Sequence, residues 1–127
     1  MSSTPESTVH AVFAALDSLD LTGIMSHFDD DITMVDELSR RWIFGKSAVE
    51  QQLRSVLDNA SDIRSALSDV RALSIAPEAT LVTCWLEQTY TFAGMQQDIQ
   101  APTSVTLRRQ ADDWKIASFH TIPLSPE

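Results

Sequence analysis

The sequence predicts an α+β domain in which helices come first and an antiparallel sheet follows. Three observations carry this. Residues 6–59 hold three segments with apolar side chains at helical spacing, whereas residues 63–122 hold four long β-prone segments. The four segments are joined by the short stretches Pro77-Glu78-Ala79, Ala93-Gly94-Met95 and Ala111-Asp112-Asp113, and connections this short require antiparallel pairing. Helices preceding strands is the order of a domain with helices on one face of a sheet. At 127 residues the chain fits one domain, 1–127, with an ordered core over about 7–123.

Each element has a local reason. Val9, Val12, Phe13 and Leu16 recur at helical spacing, which predicts a helix over 6–18 after a frayed, Ser/Thr-rich start. Asp20 reads as the N-cap of a short second helix burying Ile24, Met25 and Phe28. Asp29-Asp30-Asp31 reads as a solvated turn, because three adjacent carboxylates repel one another. Residues 32–36 and 41–44 read as short strands, with Gly45 ending the second. Val49, Leu53, Val56 and Leu57 mark a helix over 47–59, with Glu50 and Arg54 as an i,i+4 pair on another face. Strands are expected over 63–76, 80–92, 98–110 and 114–122, and the residues after Pro123 are expected to fray.

Composition excludes several functions. The chain is 43% hydrophobic and 21% charged, an ordinary balance that argues against global disorder. Nine basic against eighteen acidic residues give a net charge of −9, which opposes binding to nucleic acid or to an anionic membrane. No apolar stretch reaches spanning length. Residues 1–8 are polar without a cationic start, so a cytoplasmic location is expected. Cys84 is the single cysteine and sits in an apolar run, which suits a small core residue rather than a nucleophile. Gly45-Lys46-Ser47 lacks the upstream glycine of a phosphate loop.

Asp36 is the leading candidate for chemistry. It closes the apolar run Ile32-Thr33-Met34-Val35 and precedes Trp42. A carboxylate at a strand end in an apolar pocket suits proton abstraction. The alternative is a structural carboxylate that caps a turn or pairs with Arg40 or Arg41. His120 is the second candidate acid or base. If Trp114 and Ile116 face the helices, strand parity turns it the same way. His10 and His27 share no ligand spacing, and no metal site or other cofactor is expected. Phe28, Met34, Trp42, Trp85 and Tyr90 suit either a core or the wall of a pocket, with Met34, Trp42 and Trp85 expected nearest the cavity. Residues 81–92 carry apolar side chains at both parities, so both sheet faces should be covered, one of them by a second copy of the chain.

Several motifs, taken in order, resemble the nuclear transport factor 2-like superfamily. This group includes ketosteroid isomerase, SnoaL-type polyketide cyclases, limonene epoxide hydrolase, scytalone dehydratase and the kinase association domains. Val9-x-x-x-x-x-Ala15-Leu16, Asp20-Leu21-x-Gly23-Ile24, Phe28-x-Asp30-Asp31 and Thr33-x-x-Asp36 resemble the isomerase without a gap. Gly45-Lys46-Ser47-Ala48-Val49 resembles the family's entry to its third helix. Trp114-Lys115-Ile116 with Phe119-His120 resembles the last strand of SnoaL-like and association-domain members.

The resemblance implies a cone-shaped, curved antiparallel sheet wrapped around three N-terminal helices, a cystatin-like α+β barrel with a pocket at its open end. It implies homodimerisation through the outer face of the sheet. It places Asp36 on the isomerase's general base, and Val12 and Val105 where the isomerase has its two oxyanion donors. Valine donates no hydrogen bond, so a steroid isomerase is not expected. Val12, Leu16, Val105 and Phe119 are expected beside the pocket. Phe119 facing inward would leave His120 on the outer face, opposite to the parity argument. Two functions follow: a SnoaL-like binder of a small hydrophobic molecule, or cofactor-independent isomerase, dehydratase or cyclase, and alternatively a non-catalytic dimeric binding or assembly module.

Overall fold

The computed structural model describes residues 3–36 and 40–122; residues 1–2, 37–39 and 123–127, including the C-terminal segment expected to fray, lie outside the described residues. The element order is α1 (Pro5–Asp17), α2 (Leu21–Ser26), β1 (Phe28–Asp36), β2 (Arg41–Phe44), α3 (Lys46–Asn59), β3 (Ala60–Ala76), β4 (Ala79–Phe92), β5 (Met95–Gln110) and β6 (Asp113–Thr121). Every expected element is present, and most boundaries move by one to three residues.

Two local readings change. The Ser/Thr-rich start is a helix N-terminus from Ser3 onward. Thr4 caps α1 through a reciprocal box with Ser7, and Pro5 occupies the first turn, where its missing N–H costs nothing. The Asp29–Asp31 segment belongs to β1, which begins at Phe28. Strand alternation turns Asp30 away from Asp29 and Asp31, and Arg108 Nη1 lies 3.3 Å from Asp29 and 3.9 Å from Asp31, offsetting their repulsion. Asp29 is only 3% exposed. It accepts from Gln110 Nε2 at 2.7 Å, Arg108 Nη1 at 3.3 Å and the Asp31 N–H at 2.9 Å. Those donors replace the water that a turn would have supplied.

The six strands form one curved, unclosed sheet in the order β2-β1-β6-β5-β4-β3. Consecutive strands from β3 to β6 pair antiparallel. The β1–β6 ladder is parallel, so the sheet is mixed rather than wholly antiparallel. Seventeen-residue β3 changes register between Ser61 and Arg64, between Ser68 and Arg71, and near its end. Asp62 (φ 53°) and Asp69 (φ 51°) lie in the first two of these irregularities. Aspartate tolerates the left-handed conformation better than most residues, and bulges increase bend and twist. Repeating the device seven residues apart lets one long strand curve around the helices.

The helices pack on the concave face. The core joins Val9, Val12 and Phe13 of α1, Ile24 and Met25 of α2 and Val49 of α3 to Val82, Leu86, Val105, Leu107 and Ile116 of the sheet. Gly23 holds the turn into α2 together: an added Cβ would collide with the Asp20 carboxylate that caps the Gly23 N–H at 3.0 Å. Cys84 is buried, and burial pushes its thiol pKa up. The described residues contain no helix long and apolar enough to cross a membrane.

Candidate functional site

A cavity of about 370 Å³ lies between the helices and the concave face of the sheet. Its size falls within the range of small-molecule pockets. Alternation along the strands supplies one wall: Leu86, Gln88, Tyr90 and Phe92 from β4, Ile99 from β5 and Phe119 from β6. Phe13 and Leu16 of α1, and Gln52, Leu53 and Val56 of α3, supply the other. The Phe13 and Phe119 rings meet with centroids 5.6 Å apart, tying α1 to β6 at the cavity. Most of these side chains are apolar, with a few polar groups set among them.

Asp36, the last residue of β1, borders this cavity and is half-buried. Gln52 Nε2 donates to its Oδ1 at 3.1 Å. The backbone is tied as well. The Arg40 N–H donates to the Asp36 carbonyl at 2.8 Å, and Arg41 faces Asp36 across the β1–β2 ladder.

Sequence reading missed Gln52, although the signal was there. It lies three residues after Val49 and adjoins Leu53, so it is a polar residue on an apolar helical stripe. Gln88 was missed for the matching reason. It shares its strand parity with Leu86, Tyr90 and Phe92, and a polar residue in an inward series marks a site.

The expected pocket residues separate into three groups. Leu16, Met34, Tyr90 and Phe119 border the cavity with Asp36. Val12, Phe28 and Val105 are sealed in the core at 4%, 3% and 0% exposure and do not border it. Trp42 and Trp85 also do not border it. Trp42 is opposite Val35 on β1 and is 55% exposed. Trp85 has the parity opposite to inward-facing Leu86 and pairs with Pro102.

His120 is not among the cavity residues either, and the reason is a bulge. Leu107 pairs with Ile116 but the preceding Thr106 pairs with Ser118, which leaves Ala117 as an extra residue in β6. Parity therefore flips after Ile116. Ile116 and Phe119 both face inward, while His120 faces outward and sits 6.0 Å from the Trp42 ring. The parity argument from Trp114 and Ile116 fails at that one residue.

Other titratable groups lie elsewhere. Burial first, and the Lys115 charge second, lower the His27 pKa, with Asp113 opposing them. Among the described residues no group of three or more His, Cys, Asp or Glu could hold a metal ion.

The fold and cavity define an NTF2-like α+β protein. Residues 6–123 match the SnoaL-like domain, and the chain belongs to that family. Three solved structures share the fold. A ketosteroid isomerase-like protein from Erwinia carotovora atroseptica superposes with a TM-score of 0.82 at 21% identity, covering 95% of this chain and 94% of the other. A candidate dehydratase of the NTF2-like family from Streptomyces avermitilis gives 0.82 at 20%, covering 97% and 100%. A candidate calcium/calmodulin-dependent protein kinase type II association domain from Thiobacillus denitrificans gives 0.77 at 23%, covering 98% of each chain. No curated protein matches the sequence.

Proposed function

We propose that this chain is a single domain that binds a small, largely apolar molecule in the cavity and that Asp36 abstracts a proton from it. The observation that carries the reading is the Asp36 carboxylate at an apolar cavity of about 370 Å³, oriented by Gln52. A positioned carboxylate can remove a proton next to a carbonyl without a cofactor. Isomerisation, dehydration and cyclisation all begin with that step. A steroid isomerase is disfavoured, because Val12 and Val105 are core residues without a donor for the developing oxyanion. Gln97 borders the same cavity and carries an amide donor suited to that role.

The test is a panel of ketone, enol and polycyclic compounds turned over by wild type and Asp36→Asn. Loss of about 10²–10⁴ in rate with ligand affinity kept supports the proposal. If wild type turns over nothing and both proteins bind alike, Asp36 is not a base.

A second reading is favoured by the outer sheet face. Trp42 and Phe44, two residues apart on β2, are 55% and 69% exposed, and the Trp42 ring lies 6.0 Å from that of His120. Isolated exposed apolar residues are common, but a contiguous aromatic patch marks an interaction surface. In this reading the chain is a homodimeric binding or assembly module joined through that face. Light scattering that finds a monomer at micromolar concentration would sink it.

A further inference from the structure

We infer that Gln88 is a specificity determinant of the cavity, presenting a fixed hydrogen-bond acceptor that selects ligands carrying a hydroxyl or N–H group. The inference rests on the ligand-binding reading above and names the ligand chemistry. It comes from following the protons in a chain of three residues.

Asp17, the last residue of α1, accepts twice from Ser65 on β3: from its N–H at 3.0 Å and from its Oγ–H at 2.7 Å. A carboxylate has no proton to give in return. The single hydroxyl proton of Ser65 is therefore committed to Asp17, and its oxygen can only accept. Gln88 Nε2 supplies that bond at 2.9 Å. Flipping the Gln88 amide would set Oε1 against Ser65 Oγ with no proton between two oxygens. The nitrogen is thus locked toward Ser65, and Oε1 points away from it.

Gln88 borders the cavity, with Ser65 opposite it on the β3 side and Ile99 opposite it on the β5 side. Among the described residues Oε1 has no partner within the chain. No buried side-chain polar atom among the described residues is left unsatisfied, so the unpartnered Oε1 keeps accessible surface, on a residue that borders the cavity. An apolar ligand covering it would strip its water and return nothing. A ligand with a donor at that point would satisfy it. Sites built around a buried polar group reject the analogue that lacks the matching group. Asp17 and Ser65 are positioning residues, since they act only by holding the amide.

The test uses 2-naphthol and its near-isostere 2-methylnaphthalene, measured by equilibrium dialysis with the full chain. The readout is the ratio of their affinities, compared between proteins, so that the compounds' own solubilities cancel. Gln88→Leu should reduce the preference for 2-naphthol by about tenfold, the size of one buried hydrogen bond. Ser65→Ala should reduce it while leaving 2-methylnaphthalene affinity within about twofold, and Ser65→Thr, which keeps the hydroxyl, should retain it. If Gln88→Leu does not fold, the two Ser65 variants decide the matter alone. An unchanged ratio in folded Gln88→Leu, or in Ser65→Ala when Gln88→Leu fails to fold, overturns the inference but spares the cavity reading. If neither compound binds wild type, both fall.

Discussion

Gln52 on α3 holds the carboxylate of Asp36 on β1, with Nε2 donating to Oδ1 at 3.1 Å. The bond joins a helix to the end of a strand and aims a charged group at an apolar cavity. Gln52→Leu keeps the bulk and removes the donor. It should lower any turnover that depends on Asp36 by about tenfold, the rate equivalent of one hydrogen bond, and by less than Asp36→Asn does. Steady-state kinetics on the same substrates check this, and an unchanged kcat would show that Gln52 does not orient the base.

Asp29 should matter to stability far more than its neighbour Asp30. Its buried carboxylate is held by Gln110 and Arg108 from β5. Asp29→Ala leaves Gln110 Nε2 without its acceptor and Arg108 with only the longer contact to Asp31, and should cost about 2 kcal/mol. Asp30 is exposed, and Asp30→Ala should stay within about 0.5 kcal/mol. Urea denaturation of the two variants gives the comparison. Equal midpoints would restore the solvated-turn reading of this segment.

The His27 environment makes a pH prediction with a definite sign. Burial and Lys115 disfavour the imidazolium, so the folded pKa lies below the usual 6.5. The folded state then binds protons less readily than the unfolded chain. The stability contribution is complete above about pH 6.5 and is lost as the pH falls from there through the folded value. The urea midpoint of wild type should drop more steeply between pH 7 and 5 than that of His27→Gln. Parallel profiles would rule out His27 as the cause.

The outer sheet face predicts an association equilibrium. Trp42→Asp and Phe44→Asp each place a charge on an exposed aromatic position without touching the core. If the face joins two copies, either change should shift a dimer to monomer in sedimentation or light scattering, with the far-ultraviolet spectrum preserved. A wild-type dimer that survives both substitutions would place the interface elsewhere.

Much of the fold is legible in the sequence because periodicity reports local burial. The stripe Val9, Val12, Phe13 and Leu16 and the short Ala93-Gly94 connection need no tertiary information to be read. Asp36 was legible for a similar reason: a charge ending an apolar run stands out. The three-aspartate segment is not legible as a strand, because charge repulsion alone favours a turn and the donors on β5 lie about eighty residues away in sequence. Gln52 and Gln88 are hard to single out because each interrupts an apolar series by one polar residue, a signal easily absorbed into the pattern.

Patterning alone therefore determined that three helices would precede a four-strand antiparallel run, and that Asp36 would end the first strand. Tertiary structure decided which faces those strands present. One extra residue, Ala117, shifts the β5–β6 register and turns Phe119 to the cavity and His120 to the outside. The parallel β1–β6 ladder brings Met34 beside Phe119, and α3 brings Gln52 to Asp36. The physical reason is that strand side chains alternate with a period of two, so a single bulge reverses every later residue, and a bulge is set by pairing with a distant strand.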